Sequence, residues 1–320
     1  MYDGFAWLAN NVPPVTTATR LPMLLAMTCL LTMASVVPDV FGAGAWLFAV
    51  AYLVVVSVHA VQFSRSSQGE SAQAIRRMCP VNYAVAALLL LAAGLGHRWG
   101  WLSWIVAVLV LVSTVAGRRN TTFALWSEHF AERHGLLIII ALGETIIAVG
   151  AGAQGQLTHL AVASCAALAM VFISALWWIY FAVGDDIRAV RAIEDAAPQR
   201  RTPLASRAYS CAHLLHVAGL ILLAACMHTV IRSPTLPLDT ALAVSLSAGV
   251  AISLLGQAAF RAILWIGPTA AHLTVALLSV ALVPVGVLTS GMVQLGVIAV
   301  ALVSLAAVLQ LKRLPRPARE

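Results

Sequence analysis

The stretch Gly135-Leu-Leu-Ile-Ile-Ile-Ala-Leu-Gly-Glu-Thr-Ile-Ile-Ala-Val-Gly150 decides the class of this chain. It is long enough to cross a bilayer, and its single charge, Glu144, sits near its middle. A helix needs about 20 mostly apolar residues to span the hydrocarbon core. A charged side chain at the centre of such a helix costs roughly 2.5–3.5 kcal/mol on insertion scales. Glu144 is the only acid placed this way in any apolar segment of the chain. The reading is therefore an integral membrane protein with one polar site in its core.

The rest of the chain agrees with that class. It has 320 residues, 61% hydrophobic and only 10% charged, against about 25% charged in soluble domains. Apolar runs recur at approximately 21–38, 44–63, 80–96, 99–116, 135–152, 159–183, 208–231, 240–260, 270–289 and 291–311. Breakers separate them, among them Pro38-Asp39, Gly96-His97-Arg98, Pro198, Pro234, Pro237 and Pro268. The fold class expected is all-α, a polytopic membrane helix bundle of about ten transmembrane helices. Its organisation reads as a cytoplasmic N-terminal segment (1–20), one transmembrane domain (21–311) and a basic cytoplasmic tail (312–320).

Basic residues orient the bundle. With ten spans, only Arg98 and Arg232, of nineteen Lys and Arg, fall on one side. Cytoplasmic loops carry the excess of basic residues, so both termini are expected in the cytoplasm and the protein in the cytoplasmic membrane. The net charge of +7 is scattered through short loops with no basic face, which argues against a nucleic-acid partner. Cys29, Cys79, Cys165, Cys211 and Cys226 form no CxxC pair and read as small hydrophobes. The partners expected are the lipid bilayer and a small substrate or ion, with no cofactor and no metal.

Several polar groups are candidates for function. On a helix the neighbours of Glu144 at i±3, i±4 and i±7 include Ala141, Ala148 and Ala151, small residues that admit a second helix. Glu144 is thus expected to point into the bundle as a proton or cation site. Glu128, His129, Glu132, Arg133 and His134 lead into that helix from the cytoplasm. Tyr209, His213 and His216, at i, i+4 and i+7, make one stripe on another helix, and histidine titrates near neutrality. These eight residues are read as a cytoplasmic vestibule. The pair Asp185-Asp186 suggests an alternative, magnesium on a diphosphate substrate. Lone His59, His228 and His272 read as hydrogen-bonded structural groups. No nucleotide-binding loop, hydrolase elbow or metalloprotease signature is present.

The run His129-Phe-Ala-Glu-Arg-His-Gly, continuing through Glu144 to Gly150, resembles the hallmark of the bacterial low temperature requirement protein A family. So do Trp7-Leu-Ala-Asn-Asn11, Val37-Pro-Asp-Val-Phe-Gly42 and Arg207-Ala-Tyr-Ser-Cys-Ala-His213. The resemblance implies a polytopic inner-membrane protein, with Glu132, Arg133, His134, Glu144, Tyr209 and His213 as motif positions. Family members open with two helices ahead of the Trp-Leu-x-Asn segment. This chain starts beside that segment, so the resemblance implies two helices missing. Three functions follow as expectations: a transporter or channel coupled to protons or cations through Glu144, a membrane-embedded enzyme acting on an isoprenoid or lipid, and a non-catalytic protein of cold adaptation.

Overall fold

A computed structural model describes residues 2–65, 69–117 and 125–311; the expected tail at 312–320 and the Arg118-Arg119-Asn120 turn lie outside them. The described residues are mainly helical, with no strand among them. In chain order the helices are α1 (Tyr2–Asn11), α2 (Thr17–Val36), α3 (Ala45–Ser64), α4 (Gly69–Gly117), α5 (Ser127–Ala153), α6 (Leu160–Trp177) and α7 (Asp185–Glu194). They continue with α8 (Pro198–Ala205), α9 (His213–Arg232), α10 (Thr240–Leu264), α11 (Ala270–Ala281), α12 (Val283–Leu288) and α13 (Gly291–Leu311). Nine stretches of the described chain are long and apolar enough to cross a membrane. In hydrocarbon every backbone group must be satisfied within its own segment, which is why spanning segments fold as helices.

One of the nine is two crossings. Cys79–Leu111 runs through α4, but Gly96 has φ 67 and ψ −172 and breaks the helix there. The hydroxyl of Ser103 donates to the carbonyl of Leu88 at 2.6 Å. In a straight helix those residues would be about 22 Å apart. The chain therefore folds back at Gly96, and the runs at 80–96 and 99–116 are separate legs. A Cβ on Gly100 would come within 2.5 Å of the Ala92 carbonyl oxygen, so the return leg needs glycine to pass the first.

The run of spans divides into two compact units, one of residues 1–130 and 197–206, the other of residues 131–196 and 207–320. In the first, α2, α3 and the legs of α4 enclose Tyr52, Val55, Val56, Val85, Leu89 and Ala107. The N-terminal segment is not loose chain. Helix α1 buries Ala6, Trp7 and Leu8, and Asn10 brackets Trp126, accepting from its N–H at 3.0 Å and donating to its carbonyl at 3.2 Å. His59 meets the Gly4 carbonyl at 2.9 Å, as a structural histidine should.

The second unit packs α6, α9, α10, α11 and α13 around Leu220, Leu223, Met227, Leu246, Val250, Leu254, Leu295, Ile298 and Leu302. Without a hydrophobic driving force between helices in lipid, close approach of small residues holds them together. The α9–α10 contact is built this way. A Cβ on Gly256 would lie 2.5 Å from the His216 amide nitrogen, and one on Gly249 would collide with Leu223. This contact brings the polar faces of α9 and α10 together.

Candidate functional site

The polar site of the second unit lies where α9 meets α10, and two departures from α-helical geometry build it. Residues Trp178–Ala182 and Ser206–Ala212 are π turns, at the end of α6 and the start of α9. Such turns re-aim side chains and recur at functional sites. Here they bring Tyr180 and Tyr209 to the imidazoles of His213 and His216.

The groups are in contact. The Tyr180 hydroxyl lies 2.6 Å from Nε2 of His213, and its ring stacks on His216 with centroids 5.4 Å apart. His134, on α5, packs against Tyr209 at 4.9 Å and against His213 at 5.7 Å. Phe260 closes the apolar side, 5.0 Å from His213 and 5.1 Å from Tyr209. On the far side, the Ser253 hydroxyl lies 2.8 Å from Nδ1 of His216, and the Gln257 amide approaches both nitrogens of that ring at 3.5 Å. His134, Tyr209, His213, His216 and Ser253 are all buried. Hydrogen-bonded groups in such surroundings polarise one another, as Tyr180 with His213 and Ser253 with His216 do.

Next to this cluster stands a buried ion pair. Arg261, 4% exposed, donates from Nη1 to Asp185 at 2.6 Å. Arg188 donates to the other carboxylate oxygen and to the Val183 carbonyl. Asp185 points inward while Asp186 is exposed. The two carboxylates do not share a face, and both oxygens of Asp185 are already engaged by guanidinium. That arrangement does not support magnesium on a diphosphate. Among the described residues no three His, Cys, Asp or Glu side chains cluster to hold a metal.

Glu144 departs from expectation. It is exposed on the outward face of α5, between Ile140 and Ile147, which are 67% and 65% exposed. The inward face is Ile138, Ala141, Leu142, Thr145, Val149 and Gly152. The decisive small residue is Gly152, where a Cβ would meet the backbone of His228 at 2.5 Å; Gly143 and Gly150 have open space beside them. Packing pulls the Ala141–Gly152 face inward and turns Glu144 out. Glu128, His129 and Glu132 are likewise exposed, Arg133 is half-buried, and only His134 of that segment reaches the site. The expected vestibule set thus separates. His134, Tyr209, His213 and His216 come together, and the acids stay outside.

The motif positions His134, Tyr209 and His213 meet around one hydrogen-bonded centre, and a model of bacterial low temperature requirement A protein matches residues 1–307. The chain belongs to that family. Family membership and the apolar helices make it a multi-pass membrane protein. It is also 27% identical, over 235 residues, to an uncharacterized protein, RA0937, of Rhizobium meliloti (strain 1021). That match takes in 67% of this chain and 55% of the relative, so the chain spans about half of that protein's length. No solved structure matches the chain. Tyr180, Ser253, Gln257, Arg261 and His272 belong to the site or its border without being candidates in the sequence of this family member. The helical stripe Tyr209–His213–His216 could have led to them, because a buried imidazole needs a partner.

Proposed function

We propose that this family member is a proton-coupled transporter of the cytoplasmic membrane, and that His134, His213, Tyr180 and His216 are its proton relay. The observation that carries this reading is the 2.6 Å hydrogen bond between Tyr180 and His213 inside a run of buried imidazoles. Ionisable groups inside membrane segments are rare and mark proton and ion pathways. The Tyr180 hydroxyl exchanges a proton with Nε2 of His213 along that bond, and His216, stacked on the Tyr180 ring and bonded to Ser253, is the next titratable group beside it.

Glu144 takes no step in this relay. Its outward position separates it from the imidazoles, and the coupling role moves to histidine. The enzyme reading lacks a comparable observation, because Asp185 is held by two arginines.

The test is proton flux into vesicles reconstituted with the full chain, followed with an enclosed pH dye. Flux is expected from the natural sequence and lost in Tyr180→Phe and His213→Gln proteins that still insert and fold. Equal flux in both folded variants sinks the relay.

A further inference from the structure

His272 stands apart from the other buried histidines. It is fully buried at the first turn of α11, and neither ring nitrogen has a hydrogen-bond partner. Its helix packs along α10, which carries both Arg261 and the Ser253 that bonds His216. Arg261 likewise keeps Nε unpartnered although its Nη1 holds Asp185. A Cβ on Gly267, in the turn that joins α10 to α11, would lie 2.5 Å from Nη2 of that guanidinium.

Three features lie close together there, each with an N–H to offer an anion. The first is the guanidinium of Arg261, buried, with a donor to spare. The second is the imidazole of His272. The third is the start of α11, where the Thr269 side chain caps nothing and the first helical bond runs from Leu273 N–H to the Thr269 carbonyl. The amides ahead of that bond point out of the helix end, where the macrodipole attracts anions. The local charge count agrees: two guanidiniums, Arg188 and Arg261, face a single carboxylate, Asp185. Buried polar groups are ordinarily satisfied, so unpartnered donors gathered at a helix N-terminus describe a binding site.

We propose that Arg261, His272 and the first turn of α11 form a site for an oxyanion, a carboxylate or a phosphate. Asp185 is the chain's own oxyanion on Arg261, and a ligand approaching Nε and His272 shares that guanidinium with it. A site beside His216 places the anion next to the end of the proposed relay. The substrate class of the transporter is then a small anion moved with a proton, and this last step alone rests on the transporter reading.

Binding is measured without a gradient. The full chain, purified in an uncharged detergent, is melted in increasing potassium phosphate or potassium acetate, with potassium chloride at matched ionic strength as control. A saturable rise in melting temperature is expected with phosphate or acetate and not with chloride. His272→Phe keeps the Asp185–Arg261 pair and is expected to weaken the effect at least about tenfold. Arg261→Lys, which keeps the charge and loses the fork, is expected to weaken it too. A short-chain phosphatidylglycerol is titrated in parallel; protection by it and not by phosphate or acetate assigns the oxyanion to a lipid head group and overturns the substrate role. No saturable rise with any of the three, or an unchanged affinity in folded His272→Phe, overturns the site. No flux from the natural chain with binding intact counts against the transporter reading alone, and flux from the natural chain without saturable binding counts against the site alone.

Discussion

The ring of Tyr180 lies within 6° of parallel to that of His216, while its hydroxyl reaches His213. One side chain thereby contacts both imidazoles of α9 from a different segment, the π turn after α6. The distance between His213 and His216, 6.4 Å between ring centroids, is too long for a direct hydrogen bond. Tyr180 bridges it.

Tyr180→Phe removes the hydroxyl bonded to His213 and keeps the ring. Stacking on His216 survives, and the lost buried hydrogen bond costs about 1–3 kcal/mol. A melting curve in detergent is expected to show a modest loss of stability beside a complete loss of proton flux. A variant that melts normally and conducts normally contradicts the role given to the hydroxyl.

Asp185→Asn strands Arg261 in the interior. Breaking a buried pair by removing one partner typically costs 3–5 kcal/mol, whereas replacing both partners with apolar groups is often neutral. Asp185→Leu with Arg261→Met is therefore expected to melt close to the natural protein, and Asp185→Asn well below it. A double-mutant cycle on denaturation midpoints reads the difference.

Gly256→Val forces a side chain against the backbone of α9, where a Cβ alone comes within 2.5 Å of the His216 amide. Overpacking of this kind costs about 1–3 kcal/mol. It also displaces His216, so proton flux should fall with stability. Gly143→Val on the outward face of α5, where nothing lies within 4 Å, is the matched control and should melt unchanged.

Glu144→Gln is expected to change thermal stability by no more than about 0.5 kcal/mol, as for other outward substitutions away from packed features. Melting in detergent measures it directly. A loss of several kcal/mol would mean that the carboxylate has a buried partner after all.

Much of the fold was legible because the bilayer imposes one rule on every crossing. Apolar length and breakers sufficed to expect about ten spans, and even the two short runs at 80–96 and 99–116 proved distinct legs. The site was legible only in part. Tyr209, His213 and His216 share a helical stripe, so their grouping follows from spacing within one segment. Tyr180 stands among other aromatics at a helix end, and nothing local distinguishes it from Trp177 or Trp178. Its inward turn depends on a π geometry that no residue in Trp178–Ala182 announces. The outward turn of Glu144 is hidden for a related reason: glycines and alanines surround α5 on every side, and which of them meets a neighbour is decided by His228, far along the chain. Ser253, Gln257 and His272 look ordinary until α9, α10 and α11 are set side by side.

The fold-back at Gly96 governs more than its own two legs. A crossing added or removed reverses the sidedness of every crossing after it. If residues 80–116 entered the bilayer as one long tilted helix, all later segments would insert upside down, carrying the buried histidines to face the other compartment. A single left-handed glycine thus sets the parity of the chain, and with it the direction in which any gradient would be felt.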